Sequence, residues 1–430
     1  MKTYRRTSTP RTLARLSLIS LFSLPLCVHA QTKPPQAQAW IDVATYSGMG
    51  MPMGGMAGVA ANPLAALSSL FGGGGGGGGN TFGSAQSGSA GRWVDVTLLS
   101  RTNPSLGEAQ QSVPVGFLSP ALKLQSPGQA KGRVPDDDES VVELTEKPQG
   151  RLLLYWGCGS AVRAGQPKVL DLASASAADL SRFFVSRRAT QRGTHQAVGR
   201  PVWPSQSDAR MVPANASLTG EHSFTGTGVP EGFRFQIAAA QDLMPPLNLQ
   251  TQDSAGATQL NWTAAPTARA YFASAMGSNE KNEMVLWTSS EQPDTGMGLV
   301  DYQTNAAVDR WLREKVLLAP ATTTCTVPKG VLGAEGGMLR VIAYGSEVNL
   351  VHPPRPTDPK APWEPLWAAK VRVKSVASAM PGMSGMPGTA GMSGGAESPG
   401  RSGDGAAPAP AEPAGEAASP LNILRGLFGR

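Results

Sequence analysis

The chain has 430 residues, of which 51 are Gly and 36 are Pro, and only 16% of the residues are charged. Gly and Pro are more frequent than in average proteins, and the charged fraction lies below the roughly 25% of soluble domains. This composition argues against a single compact enzyme domain. It indicates two to three domains with part of the chain serving as linker.

The first thirty residues have the pattern of a secretory signal peptide. A basic start without acidic residues precedes an eleven-residue apolar segment, 16–26, and the small residues Val28 and Ala30 have the spacing of a cleavage site. We therefore expect 1–30 to be removed and the mature protein to be periplasmic or secreted. The apolar segment is shorter than the roughly 20 residues of a membrane-spanning helix. No later run reaches that length, so we expect no transmembrane segment in the mature chain.

Removal of this segment changes the charge balance. The whole chain has a formal net charge of +6, and five of its basic residues lie within 1–30. The mature chain would carry 32 Lys and Arg against 31 Asp and Glu, which is close to neutral. The sequence therefore gives no support for nucleic acid as a partner.

Composition divides the remaining chain into segments. Two low-complexity segments, 47–90 and 376–418, are predicted to be disordered, because they hold too little apolar surface to offset the entropy lost on ordering. The first is rich in Gly and Met, and the second in Gly, Pro and Met. The other predicted segments are a first strand region at 31–46, a β-rich domain at 91–242, a second β-rich domain at 245–353, a C-terminal extension at 354–375 and a short helix at 419–430.

Two similar four-residue segments flank the first low-complexity segment. Residues 40–43 read Trp-Ile-Asp-Val, and residues 93–96 read Trp-Val-Asp-Val. Both alternate apolar residues with others, as half-buried strands do. We predict two strands of one sheet, separated by a flexible insertion at 47–90. The alternative is chance similarity.

The β-rich domain at 91–242 contains short alternating runs punctuated by Gly and Pro, as in sandwiches and barrels. One helix is predicted at 176–188, where Leu180, Phe183 and Phe184 share a face. The predicted strands are 93–99, 141–144, 151–155 and 233–237.

From residue 245 the chain resembles a fibronectin type III-like sandwich. The segments that carry the resemblance are 246–249, 260–262 with a buried Trp262, 270–271, 284–288, 324–328 and 339–345. An extra segment at 306–318 departs from the pattern and predicts a short helix. The resemblance implies a sandwich over 245–353 and no particular chemistry. The predicted fold class is therefore mainly β, with two tandem β-rich domains and long disordered Gly-, Met- and Pro-rich segments.

Two cysteines remain after removal of the signal peptide, Cys158 and Cys325. An oxidising compartment permits a disulfide, which would join the two predicted domains. The alternative is two buried free thiols, since Cys is among the most buried residue types. The chain has no Cys-x-x-Cys pair, so the sequence does not support a thioredoxin-type or thiolate-zinc site.

Methionines cluster in the low-complexity segments. A dense run consists of Met49, Met51, Met53 and Met56, and a looser run covers 380–392. Thioether sulfur suits Cu(I), so a copper site at the dense run is an alternative function. The other interpretation is Met as filler in Gly-rich sequence. No further cofactor is predicted.

A short amphipathic motif occurs twice, at 62–72 and 419–429. In each copy a cap-type residue and Pro precede Leu at every third position, followed by Phe and Gly, which are helix start and stop signals. The apolar faces consist of Leu64, Leu67, Leu70 and Phe71, and of Leu421, Leu424, Leu427 and Phe428. Such short helices need a groove to dock into. We predict binding to an envelope protein or self-association; the alternative is an apolar patch in disordered chain.

No set of residues in the sequence supports catalysis. Residues 391–395 fit Gly-x-Ser-x-Gly but lack the flanking strand and helix of a nucleophile elbow. The histidines His195, His222 and His352 are scattered without metal-ligand spacing. We therefore expect a non-enzymatic, exported binding or scaffold protein of the cell envelope. The alternatives are a periplasmic Cu(I)-handling protein and a hydrolase with an unrecognised site in 91–242.

Overall fold

A computed structural model describes residues 33–48, 80–128, 150–281, 283–333, 337–358 and 361–381. This part of the chain is mainly β, which confirms that part of the predicted fold class; the tandem arrangement of two β-rich domains stays a prediction. The predicted signal peptide, the dense methionine run, the strand at 141–144 and both copies of the amphipathic motif lie outside the described residues.

The described chain contains strands, three short α-helices and one 3-10 turn at Ala239–Gln241. The strands are β1 (Ala37–Gly48), β2 (Gly91–Ser100), β3 (Glu108–Ser112), β4 (Ala121–Gln125), β5 (Arg151–Trp156), β6 (Lys168–Asp171), β7 (Val202–Trp203), β8 (Gly220–Thr225), β9 (Arg234–Ile237), β10 (Gln250–Ser254), β11 (Ala257–Asn261), β12 (Ala270–Ser278), β13 (Met284–Thr288), β14 (Thr324–Val327), β15 (Gly337–Tyr344), β16 (Val348–His352) and β17 (Trp367–Ala379). The helices are α1 (Ser84–Ser87), α2 (Ala177–Phe183) and α3 (Asn305–Arg313). Within the described ranges, none of these helices has the length and apolar character needed to cross a membrane.

Most strands belong to one mixed sheet. Its 14 strands follow the order β6-β5-β13-β12-β15-β17-β1-β2-β7-β4-β3-β8-β9, with β16 also paired to β17. Strands β10, β11 and β14 form a separate three-stranded sheet. The large sheet contains strands from both predicted domains, since β5 pairs in parallel with β13. It also contains β1 and β17, which pair in parallel with each other. The two regions thus share main-chain hydrogen bonds.

The two strands predicted from the repeated four-residue pattern are confirmed. β1 and β2 pair antiparallel, with Asp42 opposite Asp95. The prediction of a flexible segment over all of 47–90 is wrong at both of its ends. β1 continues to Gly48, and residues 80–90 include α1, whose Ala85 is fully buried against the two strands. The composition of this segment does not predict its ordered ends, because residues from elsewhere in the chain supply the contacts that order them.

Several boundaries in the C-terminal half differ from the sequence prediction. The predicted strand at 246–249 is absent; the small sheet begins at β10, after Asn248, which has a left-handed φ of 48°. The predicted helix at 306–318 ends with α3 at Arg313, shortly before Lys315, which has a φ of 55°. The strands predicted at 260–262, 270–271, 284–288, 324–328 and 339–345 correspond to β11–β15 and are confirmed.

The last part of the C-terminal extension predicted at 354–375 is a central strand of the large sheet, which begins at Trp367. β17 lies between β15 and β1, and it extends to Ala379, into the segment predicted to be disordered. The predicted helix at 176–188 forms over a shorter range, as α2. Its N-terminus is a capping box, in which Ser176 accepts the backbone N–H of Asp179 and the Asp179 side chain accepts that of Ser176.

The main core lies between the two sheets. Alternation along the strands places Ile41 of β1, Val96 of β2 and Val371 of β17 on one face of the large sheet. Leu260 and Trp262, from the region of the small sheet, belong to the same core cluster. This arrangement of a large mixed sheet and a small sheet around one core is compatible with a β-sandwich.

A disulfide joins the two sheets. Cys158 follows β5 of the large sheet, and Cys325 lies in β14 of the small sheet, with their Cα atoms 5.3 Å apart. Backbone hydrogen bonds surround it, including 3.0 Å from Gly159 N to Thr326 O. The bridge therefore links layers that pack on a common core.

Candidate binding site

The second face of the three central strands is charged although it is buried. Asp42 of β1, Asp95 of β2, and Lys370, Arg372 and Lys374 of β17 are each at most 8% exposed. Burial of a charged group is costly unless a partner compensates the charge. The contacts of these five residues therefore determine how this face is covered.

Asp42 and Arg372 form a bidentate ion pair. Nε and Nη2 of Arg372 donate to the two carboxylate oxygens of Asp42, each at 2.6 Å. Thr194 donates to Asp42 from its backbone N at 3.0 Å and from its Oγ1 at 2.7 Å. Burial alone would raise the pKa of Asp42, but the charge and hydrogen bonds of Arg372, together with those of Thr194, hold that pKa below its ordinary value. Asp42 is therefore an anion in the folded protein.

Asp95 fixes the segment that precedes β2. Its carboxyl oxygens accept the backbone N–H groups of Gly83 and Ala85, both at 3.1 Å. The hydroxyls of Tyr46 and Tyr302 donate to the carbonyl oxygen of Ala85 at 3.3 and 3.2 Å. Burial, followed by the charge of Asp42, raises the pKa of Asp95 well above its ordinary value. The charge of Asp42 thus opposes ionisation of the facing Asp95, because like charges in a buried site repel.

Lys374 is enclosed on the same face and is 1% exposed. Its Nζ lies 3.8 Å from an oxygen of Asp301 and 4.3 Å from the ring centroid of Tyr302. Burial lowers the pKa of Lys374 to about 8. This enclosure gives Lys374 a role in packing.

The ion pair also holds the loop 190–195 on the sheet. Nη1 of Arg372 donates to Thr190 Oγ1 at 3.0 Å and to the carbonyl of Gln191 at 2.9 Å. Gly193 passes so close that a Cβ atom there would lie 1.7 Å from Nη2 of Arg372. Since Thr194 binds Asp42, both members of the pair contact the loop. The buried pair therefore positions the loop.

This loop and the sheet enclose a cleft of about 370 Å³. Four cationic residues line it: Arg101 after β2, Arg192 in the loop 190–195, Arg200 five residues after that loop, and Lys370 in β17. The remaining lining residues are Gln38, Trp40, Leu99 and Gln191. We call this set the basic cleft. No carboxylate belongs to its lining.

Positive charge in the basic cleft is only partly compensated. Among the described residues, Arg101, Arg192 and Arg200 form no ion pair, whereas Nζ of Lys370 lies 3.9 Å from a carboxylate oxygen of Glu347. Arg101 donates instead to the carbonyl of Pro35, at 3.0 Å. Burial lowers the pKa of Arg200, and the neighbouring charges of Arg192 and Arg101 lower it further. Three guanidinium groups therefore converge without a protein counter-charge.

His195 orients one of these arginines. Its Nδ1 lies 2.9 Å from the carbonyl of Gly193, and its Nε2 contacts Nη1 of Arg200. These contacts require a proton on Nδ1 and an accepting Nε2, which is a neutral ring. Burial lowers the pKa of His195, and the charges of Arg192 and Arg200 act in the same direction. A neutral His195 is the state that accepts from Arg200.

No protein-family model matches the chain, and a comparison with curated proteins found no significant relative.

The structure brings together Cys158 and Cys325 and separates the three histidines. His222 is buried with its Nε2 2.7 Å from the carbonyl of Leu218, and His352 stacks on Trp367. Within the described part of the chain, no group of three or more His, Cys, Asp or Glu side chains could hold a metal ion. The candidate copper ligands and both docking faces stay predictions, since they lie outside that part.

Sequence reasoning missed the basic cleft. One signal was present: Lys370, Arg372 and Lys374 alternate with Val371 and Val373, which is the period of a strand with a charged face and an apolar face. This alternation is typical of a strand, and the structure shows that strand, β17, at the end of the predicted C-terminal extension. The convergence of β17 with Arg101 and the loop 190–195 depends on contacts between residues that are distant in sequence.

Proposed function

We propose that this protein is exported and acts in the cell envelope as a non-enzymatic binding or scaffold protein, with the basic cleft as the site that meets an acidic partner. The observation that carries the proposal is the convergence of Arg101, Arg192 and Arg200 without a protein carboxylate. Complementary charge gives binding surfaces specificity and accelerates association.

Export is supported by two features. The signal-peptide pattern at 1–30 directs a chain to an oxidising compartment. The bond between Cys158 and Cys325 suits that compartment, because disulfides persist where thiols are not kept reduced. The signal-peptide pattern and the disulfide both support a location outside the cytoplasm, in the periplasm or the exterior.

A fibronectin type III-like topology for 245–353 belongs to the same proposal. The small sheet β10-β11-β14 and the run β13-β12-β15-β17 on the other side of the core support it. So does Trp262, which is 5% exposed and packs against Tyr271. In this proposal β17 supplies the last strand of the sandwich. Such a sandwich is a rigid scaffold whose function is decided by the sites it carries.

The amphipathic motif at 419–430 would provide a second attachment to the envelope. Its apolar face, with Leu421, Leu424, Leu427 and Phe428, suits a groove on a partner or on a second copy. Two weak attachments on one chain bind more tightly than either alone. The copper and hydrolase alternatives have no supporting observation among the described residues.

Cell fractionation with site-specific photo-crosslinking tests the proposal. A crosslinking residue in place of Gln191, in the basic cleft, should capture an envelope component, and one in place of the exposed Arg234 should not. The protein should be found in the periplasm or medium, and deletion of 419–430 should reduce capture. Retention in the cytoplasm, or equal crosslinking from both positions, would contradict the proposal.

A further inference from the structure

We infer that the basic cleft binds a phosphate monoester group carried by a small polar molecule or by a lipid headgroup. This inference rests on the proposed binding function and names the chemistry of the ligand. It is based on the number of uncompensated cations, on how firmly the site is built, and on its size.

The number of cations favours a dianion over a single carboxylate. Glu347 partly compensates Lys370, which leaves the guanidinium groups of Arg101, Arg192 and Arg200. A carboxylate brings one negative charge and two oxygens, whereas a phosphate monoester brings about −1.5 to −2 charges at neutral pH and three acceptor oxygens. Guanidinium forks bind such oxygens in pairs, with shorter and stronger hydrogen bonds than neutral donors form. The three guanidinium groups of the cleft therefore equal in number the three acceptor oxygens of a phosphate monoester.

The site is held in place before any ligand arrives. Arg200 is oriented by neutral His195, whose ring packs edge-on against Trp40 at 4.9 Å between centroids. Nζ of Lys370 donates to Oε1 of Gln191, and the carbonyl of the same glutamine accepts from Arg372. Lys370 is therefore linked to the buried ion pair through Gln191, and Arg200 is held through His195. Such preorganisation reduces the entropy lost on binding.

The size and remaining lining define what accompanies the phosphate. A volume of about 370 Å³ lies near the small end of ligand sites, which span about 300–1,000 Å³. It exceeds what one inorganic anion needs and suits an attached glycerol or sugar. Leu99 and Trp40 supply apolar contact, and the amide groups of Gln38 and Gln191 can bind hydroxyls.

Titration calorimetry on the purified mature chain with its disulfide intact tests the inference. The probes are glycerol 3-phosphate, inorganic phosphate, citrate, and glycerol as the uncharged counterpart. Phosphatidylcholine vesicles with and without phosphatidic acid separate a lipid headgroup from a soluble ester. We expect saturable binding of glycerol 3-phosphate, or of the phosphatidic acid vesicles, that weakens as salt rises. Citrate and glycerol should bind more weakly.

A matched pair of double variants assigns the binding to the cleft. Arg192→Gln with Arg200→Gln should lower the affinity by roughly tenfold or more, because two charge-assisted contacts are lost. Arg234→Gln with Arg313→Gln removes the same charge at exposed positions outside the cleft and should leave the affinity unchanged. Thermal melting of all variants checks the fold. If the first pair unfolds, Arg101→Gln alone, at an exposed position, takes its place.

Each outcome decides a different question. Citrate binding that equals or exceeds phosphate ester binding would overturn the phosphate assignment and leave the acidic-partner function standing. Equal losses in the two double variants would show nonspecific attraction and would overturn the assignment to the cleft. Absence of binding by every probe up to about 10 mM would overturn the inference. Crosslinking from position 191 would still decide the proposed function independently.

Discussion

Replacement of Asp42 by Asn removes the counter-charge of Arg372 while keeping the size of the side chain. Asp42 accepts from two nitrogens of Arg372, two groups of Thr194 and Nε2 of Gln86, the last at 3.0 Å. Asn has one accepting oxygen, so several donors lose their partner. The Arg372 side chain, 4% exposed, would remain charged and uncompensated. Loss of one partner of a buried pair costs about 3–5 kcal/mol, so we expect Asp42→Asn to lower the free energy of unfolding by that amount.

Urea denaturation followed by tryptophan fluorescence at pH 7 measures this loss. The control is the double variant Asp42→Asn with Arg372→Met, in which no buried charge is left alone. A buried pair replaced by uncharged groups of similar volume is often near neutral in stability. The double variant should therefore be more stable than Asp42→Asn, with a coupling energy of about 2 kcal/mol in the mutant cycle. A loss below about 1 kcal/mol for the single variant, or additive losses in the cycle, would refute the reasoning.

The pH dependence and the loop give two further readouts of the same variant. The pKa of Asp42 is lowered in the folded state, so its stabilising effect is present above about pH 4 and is lost as the pH falls through the folded pKa. Asp42→Asn should therefore show a flatter loss of stability in acid than the wild type. Because Asp42 and Arg372 hold the loop 190–195, the variant should also be cleaved faster by trypsin after Arg192.

Three further predictions concern the loop, the buried lysine and the disulfide. Gly193→Ala should lower the melting temperature and expose the same tryptic site, because its Cβ would lie 1.7 Å from Arg372 Nη2; an unchanged melt would contradict the close approach. The pKa of Lys374, lowered by burial to about 8, costs the folded state about 3 kcal/mol at neutral pH, and this cost fades as the pH rises above 8. Lys374→Met should accordingly remove the rise in the urea midpoint that the wild type shows between about pH 8 and 9.5; a parallel rise in both proteins would disprove it. Cys158→Ser with Cys325→Ser opens a link that spans 167 residues and should cost up to about 5 kcal/mol, measured by denaturation against the wild type with and without reductant. Reductant should not change the stability of the double variant.

Sequence by itself determined much of the local structure. The alternating patterns at 40–43 and 93–96 place β1 and β2 correctly, because side chains of a strand alternate between the core and the opposite face. The resemblance to a fibronectin type III-like sandwich places β13 at 284–288. The short amphipathic helix α3 also follows from its own residues, since Thr304 caps it and Val308 and Trp311 pack on one side. Chain turns were less predictable. Asn248 and Lys315 adopt left-handed conformations that end or displace elements, and neither is a glycine.

Tertiary structure alone decided the pairing of strands and the assembly of the basic cleft. β1 and β17 lie at opposite ends of the described chain, yet their parallel pairing brings Asp42 directly opposite Arg372. The local sequence pattern of each strand does not identify the strand with which it pairs, because main-chain hydrogen bonds are alike for all residues. The charge state of each side chain depends likewise on what covers it: Asp42 and Asp95 occupy equivalent positions in similar strands, but only Asp42 meets an arginine. In an extended chain, the three arginines of the basic cleft would be ordinary surface residues. They form a site only because the sheet and the loop 190–195 bring the charges of Arg101, Arg192 and Arg200 together.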